Sequence, residues 1–188
     1  MREIVFAGFG GQGVLTAGLI MSQIALYRKL KATWMPSYGA AMRGGTANCT
    51  VHYGNDVVYN PGQQAPDLLL AMNEPSFRRF APIVRKGGVI LANADMISSD
   101  IEVPADVEVV SVHCNKLAQE AGNPKGANII MIGAIIALLG DCTYEEGLSG
   151  MNDMFRKKGK SRFEEANSKA YEIGYNVIRS GSYRVLNA

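Results

Sequence analysis

An α/β fold of Rossmann-like type is predicted: a three-layer domain with a mostly parallel, mixed sheet and helices on both faces. Three observations carry it. Short β-branched runs alternate with helical patterns along the chain. The run Gly8-Phe9-Gly10-Gly11-Gln12-Gly13, entered from Ile4-Val5-Phe6-Ala7 and left through Val14-Leu15-Thr16-Ala17, reads as strand, glycine turn and helix. The length of 188 residues suits one well-filled core, so 1–188 is read as a single domain.

The expected strands are, in order, Glu3 to Ala7, Lys31 to Met35, Ala47 to Tyr53, Asp67 to Met72, Gly88 to Ala92 and Val107 to Val112. Asp56 to Tyr59 is expected to pair back on the strand before it, because His52-Tyr53-Gly54-Asn55-Asp56 carries a tight-hairpin signal. The first helix, about Gly13 to Tyr27, is apolar on nearly every side and should be covered on more than one face, by the sheet and by another helix or subunit. Ile129 to Leu139, interrupted by Gly133, reads as a buried helix too short to cross a bilayer. Thr143 with Glu146, and Ser161 with Glu164, have capping-box spacing. Phe163, Ala166, Ala170, Ile173 and Val177 form one stripe expected to lie on the body of the domain. Gly159 should end the helix before it, with Arg156, Lys157, Lys158 and Lys160 as a solvated cationic C-terminus.

Composition narrows the partners. Apolar content of 47%, charged content of 19% and a formal charge of +2 describe an ordinary globule, so neither disorder nor nucleic-acid binding is expected. Met1-Arg2-Glu3 leads straight into the first strand with no leader pattern, and a cytoplasmic protein without a membrane segment is expected. Cys49, Cys114 and Cys142 are odd in number and dispersed, which reads as reduced, partly buried thiols rather than a metal or iron–sulfur site. His52, in a strand, and His113, at a strand end, form no evident acid–base pair, so no catalytic residue is assigned.

Gly8, Gly10 and Gly13 satisfy the G-x-G-x-x-G spacing of a dinucleotide fold, but the carboxylate that would hold a ribose is missing. No acid occurs between Glu3 and Asp56, whereas Arg28, Lys29, Lys31 and Arg43 do, so the segment suits a phosphate-bearing ligand or an acidic partner. The second strand is expected to stop at Pro36 and to run into a glycine-rich loop through Cys49. In an open α/β sheet that loop emerges beside the first glycine turn, and the two should share one crevice. Its candidate ligand-binding residues are Gly8, Gly10, Gly11, Gln12, Gly13, Ser37, Tyr38, Arg43, Gly44 and Gly45. Asn73-Glu74-Pro75-Ser76 either extends the crevice or simply caps a helix, and Asn93 and Asp95 carry the same ambiguity.

Together, Gly8-Phe9-Gly10-Gly11-Gln12-Gly13-Val14-Leu15-Thr16-Ala17-Gly18 and Pro36-Ser37-Tyr38-Gly39-Ala40-Ala41-Met42-Arg43-Gly44-Gly45-Thr46-Ala47-Asn48-Cys49 closely resemble the gamma subunits of 2-oxoacid:ferredoxin oxidoreductases. The likeness continues through Pro66-Asp67-Leu68-Leu69-Leu70-Ala71-Met72-Asn73 and, more loosely, most of the chain. Within the pyruvate/ketoisovalerate gamma-chain family, the 2-oxoglutarate branch is most similar, with branched-chain oxoacid enzymes next. The resemblance implies a cytoplasmic hetero-oligomer with alpha, beta and often delta subunits. Thiamine diphosphate and magnesium belong to the alpha and beta parts, and iron–sulfur clusters on partner chains pass electrons to ferredoxin. The implied reaction converts a 2-oxoacid and coenzyme A to an acyl-CoA, with this chain an accessory subunit, inactive alone and able to form a homodimer when isolated. The crevice would then help admit coenzyme A. A free-standing NADP-binding oxidoreductase and a pure assembly module are the competing readings.

Overall fold

The computed structural model describes residues 1–38 and 45–186, Tyr38 by its backbone alone. These residues include a seven-stranded sheet in the order β2-β3-β1-β4-β5-β6-β7. The strands are β1 (Arg2–Phe9), β2 (Lys31–Tyr38), β3 (Thr46–Gly54), β4 (Leu68–Ala71), β5 (Val89–Asn93), β6 (Glu108–Val112) and β7 (Arg184–Val185). β1, β2, β4, β5 and β6 point one way, while β3 and β7 oppose them.

Two strand expectations are corrected. β2 does not stop at Pro36 but continues to Tyr38, with Pro36 opposite Cys49. It is the outermost strand, and an edge accommodates a residue that has no N–H to give. Asp56 to Tyr59 forms no strand, because β1 and β2 already occupy both edges of β3. The chain instead folds back over the foot of β1, where the N–H groups of Gln64 and Ala65 donate to the Glu3 carboxylate at 2.8 and 3.3 Å. β7 was not foreseen; two residues are too short to leave a period.

Six helices complete the described fold: α1 (Val14–Tyr27), α2 (Glu74–Phe80), α3 (Cys114–Glu120), α4 (Ala127–Leu139), α5 (Tyr144–Lys157) and α6 (Glu164–Arg179). One sheet face, with Ile4, Phe6, Leu68, Leu70 and Leu91, shares its core with all of them except α2. The other face, with Val5, Leu69, Ile90 and Val109, packs on Phe77 and Phe80 of α2. As its apolar surface demands, α1 lies on β1 and β3 and is covered outside by α5, where Gly150 meets Ile24. Every residue from Asn128 to Ile136 of α4 is buried, the helix being enclosed between its neighbours.

The α4–α6 crossing depends on two glycines. A Cβ on Gly133 would sit 2.0 Å from the Tyr171 carbonyl oxygen, and one on Gly174 would sit 1.7 Å from that of Ile130. No side chain fits there without parting the helices.

Of the two capping boxes, only Thr143/Glu146 forms: Thr143 Oγ1 accepts from the Glu146 N–H and the Glu146 carboxylate accepts from the Thr143 N–H. Ser161 opens a short 3₁₀ turn instead, and the Glu164 carboxylate is taken by Arg156 at 2.5 Å. The C-terminal stripe is also shifted. Phe163 and Ala166 are exposed, Phe163 lying under the Arg162 guanidinium, and Asn167, Ala170, Tyr171 and Gly174 form the buried line. Arg156, Lys157, Lys158 and Lys160 are exposed, around the left-handed Gly159 that ends the helix.

Candidate functional site

The carboxyl ends of the parallel strands bring the glycine turn, Asn73, Asn93 and His113 to one edge of the sheet. β3 runs the other way, so its first residue lies there too, Thr46 opposite Phe9. The expected meeting of the two loops is observed: the N–H of Gly10 donates to the carbonyl of Gly45 at 2.9 Å. Between them opens a cleft of about 410 Å³, lined by Phe9, Gly10, Gly11, Gly13 and the first turn of α1 on one side and Gly45, Thr46 and Ala47 on the other. Arg43 and Gly44 lie outside the described residues, as does the side chain of Tyr38. Ser37 is exposed near the end of β2 and does not line the cleft.

The cleft is built to offer hydrogen-bond donors. Gly13 precedes α1 in a left-handed conformation, φ 74°, with no side-chain cap, and the first helical turn carries no acid. A Cβ there would also strike the Asn128 amide at 2.6 Å. The first N–H groups of a helix lack intrahelical acceptors, so this end of α1 presents donors and the positive end of the dipole. The N–H of Gly11 has no acceptor among the described residues. Asn128, at the start of α4, donates to the Gly13 carbonyl at 3.2 Å and fixes the back of the turn.

Gln12 lies apart from the opening. Its Oε1 accepts from the N–H of Phe9 at 2.7 Å and from Asn73 Nδ2 at 2.8 Å, while its Nε2 donates to the Met72 carbonyl at 3.0 Å. The side chain therefore spans β1 and β4 at the point where the strand order reverses. A doubly wound fold usually seats its dinucleotide at that point. Gly8 remains within β1, opposite Ala47. Asn73 resolves its ambiguity as a helix cap, its Oδ1 accepting from the Ser76 N–H; it does not line the cleft, and its Nδ2 holds Gln12. Sequence reasoning missed this bridge; an i to i+61 contact leaves no local pattern.

The basic residues are not gathered as expected. Lys31 begins β2 opposite Gly54, at the far edge of the sheet, and Arg28 there faces Glu146 at 3.6 Å. Of the expected cationic set, Arg43 lies in sequence between β2 and β3, outside the described residues. Asp95 and His113 form a pair, Asp95 Oδ1 to His113 Nδ1 at 2.9 Å. His52 is buried, with Nε2 3.6 Å from the Glu3 carboxylate. Burial pushes the thiols of Cys49 and Cys114 up to about 12 and that of Cys142 up to about 11, leaving them protonated at neutral pH. Among the described residues, no three His, Cys, Asp or Glu side chains cluster as metal ligands, and no helix is long and apolar enough to cross a membrane.

Comparison with known proteins agrees with this architecture. The family model for pyruvate ferredoxin/flavodoxin oxidoreductase matches residues 3–177. The ketoisovalerate oxidoreductase subunit VorA of Methanothermobacter marburgensis is 34% identical over 94% of this chain, which spans 36% of that protein, about a third of its length. The 2-oxoglutarate synthase subunit KorC of Methanocaldococcus jannaschii is 31% identical over 95% of this chain and 94% of its own. The crystal structure of a keto/oxoacid ferredoxin oxidoreductase gamma subunit from Geobacter sulfurreducens superposes with a TM-score of 0.79 at 28% identity, over 96% of this chain and 99% of that one. A family match over nearly the whole chain, with a relative of similar length at 31% identity, leaves one assignment: the chain belongs to the pyruvate ferredoxin/flavodoxin oxidoreductase family.

Proposed function

We propose that the chain is the gamma-type accessory subunit of a cytoplasmic 2-oxoacid:ferredoxin oxidoreductase, and that its cleft receives a phosphate group of coenzyme A beside the catalytic chains. The observation that carries the ligand assignment is the uncapped, acid-free N-terminus of α1 opening into the cleft. Backbone N–H groups at a helix start suit a phosphate, and an Arg43 guanidinium from the bordering loop would add charge-assisted bonds. Gly10, Gly11, Gly13 and Gly45 supply the backbone; Gly8 and Gln12 shape the turn beneath it. Ser37 and Tyr38, at the end of β2, and Gly44, which follows in sequence, are assigned to the rim that a partner completes.

Thiamine diphosphate, magnesium and the iron–sulfur clusters are assigned to the alpha, beta and delta chains, where decarboxylation and electron transfer to ferredoxin take place. The described residues of this chain include no cluster of metal ligands to hold such a group. A relative of nearly equal length is named for 2-oxoglutarate, which supports that oxoacid as the substrate. The match of this whole chain to a third of VorA supports close association with a larger partner.

The test is an Arg43→Ala change in the assembled complex. The apparent KM for coenzyme A should rise about tenfold, the size of one charge-assisted contact, while that for the oxoacid holds. An unchanged coenzyme A value in an intact complex overturns the ligand assignment. Failure of this chain to copurify with any thiamine-dependent partner overturns the subunit assignment.

A further inference from the structure

A larger opening lies at the other end of the same edge, three strands from the glycine turn, or about 14 Å at ordinary strand spacing. Its volume is about 690 Å³. It exists because β7 is so short: Val185 pairs with Val110 and Arg184 with Ser111, and there the ladder ends. On the β7 side Val112 and His113 continue without a strand beside them, and the segment from Gly181 to Tyr183 swings out to form the opposite wall.

The interior has two characters. Val112, Leu117 and Leu186 give it apolar walls, joined by the ring of Tyr183. His113, Lys116 and Arg184 line it as cationic or ionisable groups, against the single carboxylate of Glu120. Neither Lys116 nor Arg184 has an ion-pair partner among the described residues.

His113 is held in place. Asp95 Oδ2 accepts the N–H groups of Asn115 and Lys116 at 2.7 and 3.1 Å, which anchors the carboxylate, and its Oδ1 meets His113 Nδ1 at 2.9 Å. With a carboxylate as acceptor, Nδ1 carries the proton, so Nε2 is the ring atom left for a ligand. Oriented donors at one end and apolar walls at the other, in a volume typical of small-molecule sites, define an amphipathic anion.

We propose that this cleft binds a nucleotide-sized phosphate monoester. The phosphate meets Lys116 and Arg184, whose two positive groups match a dianionic head better than a monoanion, while His113 Nε2 accepts from a ribose hydroxyl. The base and ribose lie along Val112, Leu117, Leu186 and Tyr183. The assignment is independent of the glycine cleft and of the reaction in which the chain takes part.

AMP, adenosine and inorganic phosphate are titrated into the full-length chain by calorimetry, with Arg184→Ala and Lys116→Gln as variants. AMP should bind at one site per chain, with adenosine and inorganic phosphate each at least tenfold weaker. Either variant should weaken AMP about tenfold. Lys116 is exposed on α3, so its variant reads out the site even if the short β7 is disturbed by the other. Adenosine as tight as AMP would remove the phosphate contact, and inorganic phosphate as tight as AMP would remove the apolar one. No binding of AMP, or binding that both variants leave unchanged, overturns the proposal.

Discussion

The Gln12 amide joins the Phe9 N–H, the Asn73 amide and the Met72 carbonyl, the last of which also accepts from Asn93 Nδ2 at 3.3 Å. Replacing Gln12 with Ala leaves two partly buried donors, the Phe9 N–H and the Asn73 amide, unpaired, each costing about 1–3 kcal/mol when nothing replaces the bond. The Gln12→Ala protein should lose about 2–4 kcal/mol by urea unfolding, allowing for water entering the gap. Loss below about 0.5 kcal/mol, the range of ordinary surface substitutions, would show that the bridge holds nothing. The same residue shows where single-sequence reading ends. The glycines around it declare a turn, because only a few backbone conformations need them. Gln12 is one polar residue among them, and its partners lie about sixty positions away.

At the scale of elements, what the sequence made legible was whatever depends on neighbours in the chain. The box at Thr143 and the buried apolar run of α4 follow from local spacing. Ser161 and Glu164 have identical spacing, yet Arg156 takes the carboxylate from another helix. Asp56 to Tyr59 had the composition of a strand and lacked only a free edge to pair with. The α4–α6 contact belongs to the same class, since nothing local distinguishes Gly133 and Gly174 from helix-weakening residues. Their adjacency predicts the reverse of the propensity rule, by which Ala stabilises a helix by about 1 kcal/mol over Gly. Gly174→Ala should instead destabilise the protein by about 1–3 kcal/mol, as overpacking does. A melting temperature equal to or above that of the parent would contradict the backbone contact.

For the whole molecule, the buried thiols and phenols set a limit on alkaline stability. Burial raises Cys49 and Cys114 to about 12 and Cys142 to about 11, and it raises Tyr53 and Tyr171 as well. An unfolded chain releases these protons near its ordinary thiol and phenol values, while the folded one keeps them. Above about pH 8.5 the folded state therefore binds more protons, and stability falls as pH rises. The contribution is whole below that point and declines up to about pH 12, with each group adding at most about 1.4 kcal/mol per pH unit. Urea midpoints should drop steadily between about pH 8 and pH 10.5; a flat profile would place these side chains in contact with water. The site follows the same division. That two loops meet at one edge was readable from the order of glycines and strands. That Arg28 and Lys31 lie at the opposite edge follows from β2 running parallel to β1, which puts its start away from the glycine turn.

The outermost strand adds one consequence for a newly made chain. β2 leaves a full side of its backbone open, the kind of border along which like chains stack into aggregates. Pro36 removes a donor from the middle of that border, and the exposed Lys31 puts charge at its start. The chain is thus protected from growing into a ribbon of its own kind. Whatever docks along β2 must then recognise it by side chains rather than by lengthening the sheet.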